Sequence, residues 1–373
     1  MKFKQLFKSS ADWMRREGPS GDIVLSSRVR LARNLPGHSY PGWAEPPQRE
    51  AVLGELLPIV EALPEMKGAF RAELGEMELL EKQFLVERHL VSREHAAREG
   101  GCAAVVDEDQ SLSIMINEED HLRMQAIVPG LDIVGAHRAI DQIDTVLDSQ
   151  VGFAFDDQFG YLTSCPTNLG TGLRASAMLH LPGLVLADHV KQVVAAANKI
   201  GLAVRGIYGE GTEALANFFQ ISNQNTLGEE ESVILERLQS VIEQIVTQER
   251  NARATLVEEN RAMICDRIGR GYGVLRHAHV LSSKEALEHL SMLRLGADLG
   301  VLNPNAGLLR TLFAEIQPAH LQLAAGRTIE PEERDALRAD FLQRRLKSLK
   351  PPNMLPLGND IEGASTPEEE DSE

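Results

Sequence analysis

Residues 161–176 read YLTSCPTNLGTGLRAS. One cysteine precedes a proline, two glycines stand at 170 and 172, and one arginine follows at 174. The stretch resembles a phosphate-binding loop, yet the lysine of G-x-x-x-x-G-K-[ST] is missing. If a nucleotide binds here, arginines must hold its phosphates.

Outward from it, residues 23–33 (IVLSSRVRLAR) alternate in part between apolar and polar side chains and read as a strand. Residues 46–63 read as a helix with proline near its start. Strand-like runs follow at 78–86, 103–106, 111–116 and 151–155, the first ambiguous with helix. VVDEDQSLSIMI reads as a hairpin with an acidic turn. Helical spacing covers 131–149 and 184–200, the latter ending at Gly201. A strand-like ISNQNTL leads to a long helical stretch, 229–263. Strands and helices without strict alternation predict an α+β fold with an antiparallel sheet. From about 256 the pattern is helical. Ser282 and Glu285 form a capping box, and Thr328 with Pro331 is expected to start a further helix. The division expected is 1–255, an all-helical 256–350, and a disordered tail at 351–373.

The chain of 373 residues is 43% hydrophobic and 25% charged, as in globular proteins, with a net charge of −17. Residues 351–373 hold seven acids and no Lys or Arg, so the remainder still carries −10. A net-acidic body argues against direct nucleic-acid binding. Three unpaired cysteines, at 102, 165 and 265, form no disulfide framework or zinc site and fit a reducing, cytoplasmic setting. The basic N-terminus lacks the apolar core of a signal peptide, and no apolar run is long enough to span a membrane.

Arg28 and Arg30 lie two apart in SSRVR and share one face of the strand. Flanked by apolar residues, they need an anionic partner if buried, and guanidinium suits phosphate. Arg123, Arg174 and Arg205 taken singly read as surface arginines. Glu118, Glu119 and Asp120 taken alone read as a solvated turn. Glu210 lies in the glycine-flanked YGEGTE, where backbone can approach a ligand closely. If Glu119 and Glu210 face each other they can bind a guanidinium. Cys165 is either a small apolar residue or a thiolate beside arginines.

SSRVRLARN, NEEDHLR, CPTNLGTGLRAS and RGIYGEGTE, in this order, resemble the phosphagen (guanidino) kinases over about residues 20–255. In those enzymes a helical domain comes first. Here the first motif begins at Ser26, so that domain is expected to be absent. The chain is most similar to the bacterial protein-arginine kinase branch, whose helical C-terminal domain carries R-D-x-x-R-A, here Arg334 to Ala339. This resemblance implies ATP and Mg²⁺ as cofactors, without a protein metal motif. It places Arg28, Arg30, Arg123, Arg174 and Arg205 on the phosphates and His89 against the nucleotide. Around the arginines it adds Ser26, Ser27 and Val29. It adds Ala175, Ser176, Ala177 and Met178 from the second segment, and Gly206, Ile207, Tyr208 and Gly209 before Glu210. Glu119 and Glu210 are expected to clamp the acceptor guanidinium and take its proton, with Cys165 beside it. Arg334, Asp335, Arg338 and Ala339 are expected to bind phosphoarginine. Without the resemblance, Arg334 and Arg338 read as a solvated face paired with Glu332 and Glu333. The implied partners are proteins with exposed arginines, a Clp-type protease system, an activator protein and a second copy of the chain. A small-molecule guanidino kinase and a non-catalytic phosphoarginine reader are the alternatives.

Overall fold

The computed structural model describes residues 1–206, 214–305 and 307–353. Its strands are β1 (Val24–Arg33), β2 (Phe70–Glu73), β3 (Ala103–Val106), β4 (Leu112–Ile116) and β5 (Leu122–Pro129). Then come β6 (Phe155–Asp156), β7 (Gly160–Tyr161), β8 (Leu173–His180), β9 (Leu202–Gly206) and β10 (Phe218–Asn223). β6 and β7 form a small ribbon. The other eight make one sheet, ordered β2-β3-β4-β5-β1-β8-β10-β9, with antiparallel neighbours throughout. The architecture is α+β, as the sequence predicts.

Alternation along β1 and its neighbours gives the sheet two unlike faces. Val29 and Leu31, with Met124, Ala126, Ala175, Ala177 and Ile221, are buried in the main core. Helix Ile133–Val151 covers that face with Ile133, Ala136, Ile140, Ile143 and Leu147, the i, i+3, i+7 spacing of one helical stripe. Asp132 caps it by accepting from the Gly135 amide at 2.8 Å. Helix Glu231–Glu259 adds Ile234, Leu238 and Ile242. Each such side chain contributes about 1.5–3 kcal/mol of burial energy.

The same long helix runs past residue 255 and places Leu256 in a second core, built from helices Arg261–His277, Ser283–Asp298, Leu308–Glu315 and Pro331–Arg345. This helical region docks on the sheet-bearing part of the chain through polar pins. Arg294 Nη2 donates to the Gly21 carbonyl at 2.6 Å. Arg88 Nε donates to His320 Nε2 at 2.8 Å, and His320 Nδ1 lies 2.7 Å from Glu87.

Several local expectations change. Residues 78–86 are helical (Leu79–Glu87), because Phe84 and Leu85 pack inward and no strand pairs with the segment. The 151–155 run is a helix end turned by Gly152 at φ 63° and leaves only Phe155, at the start of β6, as strand. The 184–200 helix is broken into Pro182–Leu186 and Val190–Lys199 by Asp188 at φ 58°, a left-handed conformation that aspartate tolerates. Only 221–223 of ISNQNTL is strand. The 229–263 stretch divides at Asn260. Ser282 does cap its helix, accepting from the Glu285 amide. The last helix starts after Glu330 rather than Thr328, with Pro331 in its first turn.

Candidate active site

The face of the sheet away from the main core is polar, and the strand register sets out its rungs. Opposed residues in antiparallel strands point to one side. Ala32 stands opposite Arg123, Arg30 opposite Gln125 and Arg174, Arg28 opposite Ser176, and Ser26 opposite Met178. Ser222 and Gln220 on β10 continue the last rungs, and Arg205 on β9 pairs with Gln220. Five arginines from four strands therefore share one face. Arg28 Nη2 reaches Gln220 at 3.4 Å and Arg174 Nη2 reaches Ser222 at 3.2 Å. The Nε atoms of Arg30 and Arg174 are buried without a partner. Burial, then the charges of Arg123 and Arg174, pull Arg28 down to about 10. Burial and the neighbouring arginines lower Arg30 and Arg174 as well. The cluster is short of negative charge, which an anion would supply.

Alternation also sorts the other residues in these segments. Val29, Ala175 and Ala177 turn into the main core, so their side chains cannot touch a ligand on the polar face. Ser27 is committed to the Gly130 carbonyl (2.8 Å) and the Asp132 amide (3.0 Å). Ser26, Ser176 and Met178 do face the arginines.

The two glycines after Cys165 are required by backbone packing. Gly170 has φ 106°, and a Cβ there would meet the Thr226 carbonyl at 2.3 Å. Gly172 has φ 65°, and a Cβ there would meet the Ala32 carbonyl at 2.6 Å. They let the 161–172 loop pack against backbone on two sides and lead directly into β8 and Arg174.

Glu118, Glu119 and Asp120 form the β4–β5 turn and have three different tasks. Glu118 is 2% exposed and accepts from Arg123 Nη1 with both oxygens, at 2.9 and 2.7 Å. Ser92 Oγ adds a 2.5 Å hydrogen bond. Burial pushes its carboxyl up, but Arg123 and Ser92 more than offset that, so it stays below the ordinary value. Asp120 accepts from Asn34 Nδ2 (2.7 Å) and the Ser164 amide (2.6 Å) and so ties this turn to the Cys165 loop. Glu119 is the half-exposed member, 3.9 Å from Arg123. Burial, then Asp120 and Glu118, push it above the ordinary value, while Arg123 and a hydrogen bond from the Cys165 thiol partly offset this. Cys165 Sγ also lies 3.0 Å from Thr167 Oγ1. A carboxylate with raised proton affinity thus stands beside a thiol at one end of an arginine row. Glu210, Ile207, Tyr208 and Gly209 lie outside the described residues; Gly206 ends β9.

His89 stands just after helix Leu79–Glu87 at φ 59°. Burial and Arg28 bring it down to about 4, so it is neutral at pH 7. Beside it opens a cleft of about 510 Å³ lined by Arg28, Arg30, Arg123, Gln125 and Ser92. The sequence motifs missed Glu118 as an anchor, and Gln125, Gln220 and Ser222; alternation within β5 and β10 was the available signal.

The helical-region residues are placed otherwise than a solvated face requires. Arg338 is fully buried and donates to the carbonyls of Ile316 (3.1 Å) and Leu281 (2.7 Å) and to Asp335. Its Nη2 has no partner, nor has Arg334 Nε. Glu333 pairs with Arg327 instead. Ala339 is a residue of the second core. Among the described residues no helix is long and apolar enough to cross a membrane, and no group of three or more His, Cys, Asp or Glu side chains could hold a metal.

Comparison with known proteins agrees with this geometry. Residues 59–252 match the family model of the ATP:guanido phosphotransferase C-terminal catalytic domain. Residues 261–356 match that of the protein-arginine kinase McsB C-terminal domain. The chain is 43% identical over 348 residues to a protein-arginine kinase of Halothermothrix orenii, covering 93% of this chain and 99% of that one. It is 45% identical over 351 residues to one from a Geobacillus species, covering 93% and 97%. The fold is similar to that of lombricine kinase, with a TM-score of 0.57 and 22% identity over 66% of this chain and 72% of the other.

Proposed function

The chain belongs to the protein-arginine kinase family of ATP:guanidino phosphotransferases, and we propose how its residues divide the phosphorylation of protein arginine side chains. The observation that carries the reading is the arginine row on the polar sheet face, which ends at the Glu119–Cys165 pair.

Phosphoryl transfer needs alignment and neutralisation of charge spread over the moving group. Arg28, Arg30, Arg123, Arg174 and Arg205 hold the ATP phosphates, and Glu118 fixes the Arg123 guanidinium in position. The acceptor is a guanidinium with a pKa above about 12, so its deprotonation in advance is costly. Glu119 takes the proton as the new N–P bond forms and the bond from the γ-phosphorus to the ADP oxygen breaks. Its raised proton affinity suits that task. Glu210 is assigned the second carboxylate contact, and Cys165, hydrogen-bonded to Glu119, the third polar contact to the acceptor. Mg²⁺ fits an arginine-lined site only as an ion carried by the phosphates and water, where it supplies further charge neutralisation.

Beyond the chemistry, the phosphorylated arginine is read as a mark for Clp-type degradation, in a homodimer working with an activator. The Arg334–Ala339 segment is assigned phosphoarginine binding. The assay pairs Mg-ATP with either free L-arginine or an arginine-rich unfolded protein and detects acid-labile N-phosphate by mass spectrometry. Label on the protein alone is expected. Label on free arginine supports a small-molecule kinase, and no label with retained phosphoarginine binding supports a reader.

A further inference from the structure

The chain has two tryptophans, and they lie in opposite environments. Trp43 is 83% exposed. Trp13, on the helical turn Asp12–Arg15, is 5% exposed and belongs to no motif of the reaction. It packs on Ile127 of β5 and Ala314 of the helical region. That much is ordinary core packing. Its polar end is not: Nε1 is buried with no partner, although a buried indole N–H normally finds an acceptor.

Where that end lies gives it a meaning. Trp13 lines a small cavity of about 80 Å³ with Ser26, Arg28, His89, Ser176 and Gln220. His89 Nε2, in the same cavity, is also buried and unpartnered. The two rings are 6.0 Å apart with planes at 44°, an open angle rather than a stack. The His89 ring is neutral at pH 7, so Nε2 can accept or donate according to tautomer. Two orphan ring nitrogens, two hydroxyls, an amide and aromatic walls make a pocket for a polar heteroaromatic group.

The cavity is the next stop along the arginine row. Arg28 lines both this cavity and the larger cleft with Arg30 and Arg123. Down β1 the rungs run from Arg123 opposite Ala32, through Arg30 with Arg174 and Arg28 with Ser176, to Ser26 with Met178. Glu119 adjoins the Arg123 end. A nucleotide whose terminal phosphate meets Glu119 therefore has its nucleoside directed toward the Ser26 end, where Trp13 waits.

We propose that Trp13 is a nucleotide-binding residue: its indole walls the nucleoside pocket and its Nε1–H donates to the base or ribose. This rests on the assignment of the arginine row to ATP phosphates. It gives the N-terminal segment and the helical region, which brackets Trp13 through Ala314, a part in shaping the nucleotide site.

The test uses the full chain carrying Trp43→Phe, which leaves Trp13 as the one indole fluorophore and spares the site. Three probes are titrated: ADP, inorganic tripolyphosphate and adenosine. ADP is expected to change Trp13 emission with the saturation seen by calorimetry. Tripolyphosphate, which offers phosphates without a nucleoside, is expected to leave emission unchanged at concentrations that inhibit transfer. An unchanged emission with saturating ADP, or an equal response to tripolyphosphate, overturns the proposal. A response to adenosine alone supports it. Trp13→Phe, where it folds, is expected to raise the KM for ATP about tenfold through loss of one hydrogen bond. Its kcat and its KM for protein substrate should stay within about twofold. A Trp13→Phe enzyme with wild-type KM for ATP also overturns the proposal. If wild-type protein neither binds ADP in calorimetry nor transfers phosphate, the underlying assignment of the arginine row fails instead.

Discussion

Arg30 and Arg174 stand directly opposite each other on β1 and β8, each with a buried Nε that has no partner. Like charges across an antiparallel pair oppose folding by about 0.2–1 kcal/mol. The proposed phosphate site would relieve this repulsion by supplying an anion. Arg174→Leu should therefore keep or raise the melting temperature by about 1–3 °C. It should also abolish stabilisation by ADP, which in the wild type amounts to about 2.7 kcal/mol at a hundredfold excess over Kd. Differential scanning calorimetry with and without ADP checks both. A lower melting temperature with an intact ADP shift contradicts the assignment.

Glu118 is the anchor for Arg123 and is itself buried. Glu118→Gln removes the charge that holds the guanidinium and leaves it mispointed in the proposed phosphate site. An activity loss on the order of 10²-fold follows from misplacing one positioning group, with about 3–5 kcal/mol of stability from breaking a buried pair. The pH dependence has a definite sign. Because the folded-state carboxyl lies below its ordinary value, the pair stabilises above the unfolded pKa and is lost as pH falls through the lower folded value. Acid unfolding of Glu118→Gln followed by circular dichroism should show a shallower slope below pH 4.5 than wild type. An identical slope removes the linkage.

How much of this was readable beforehand depends on how local the cause is. SSRVR put Arg28 and Arg30 on one strand face by period alone, and β1 bears that out. Gly170 and Gly172 were visible as a special turn, but the contacts that require them were not. The atoms that forbid a Cβ there belong to Thr226 and Ala32, far away in sequence. Likewise nothing in EERDALRA tells that Arg338 is buried, since its acceptors are carbonyls of residues 281 and 316. Trp13 carried no signal because its neighbours are drawn from β5, the His89 turn and the helical region. Side chains whose role follows from backbone period were legible, and those defined by long-range packing were not.

Glu119 supplies a prediction on pH and rate. As the proposed base it must be ionised, and burial with Asp120 and Glu118 raises its proton affinity. The acid limb of kcat/KM should therefore fall at a pH above the ordinary carboxylate value of 4.5. Glu119→Gln should lose transfer by about 10²–10⁴-fold while ADP still binds. Cys165→Ala removes the thiol hydrogen bond that partly offsets the rise. It should move the acid limb further toward neutral pH and lower kcat. A pH–rate profile unaffected by Cys165→Ala argues that the thiol acts elsewhere.

Arg334 and Arg338 share a helix but not a job. Arg338 satisfies two buried carbonyls and Asp335, so Arg338→Ala leaves acceptors orphaned and should cost about 2–4 kcal/mol. Arg334 is only half-buried and its Nε is free, so Arg334→Ala should stay within about 1 kcal/mol of wild type. Loss of phosphoarginine binding in Arg338→Ala is therefore ambiguous between recognition and collapse of the helix packing. Arg334→Ala is the decisive variant: an unchanged melting temperature with lost phosphoarginine affinity in calorimetry is expected. Wild-type affinity in that variant places the phosphoarginine contact away from this segment. Asp335→Asn separates the two roles further, because it keeps an acceptor for Arg338 while removing the negative charge. If recognition uses Arg338 Nη2, which is buried without a hydrogen-bond partner, this change should leave binding intact or strengthen it.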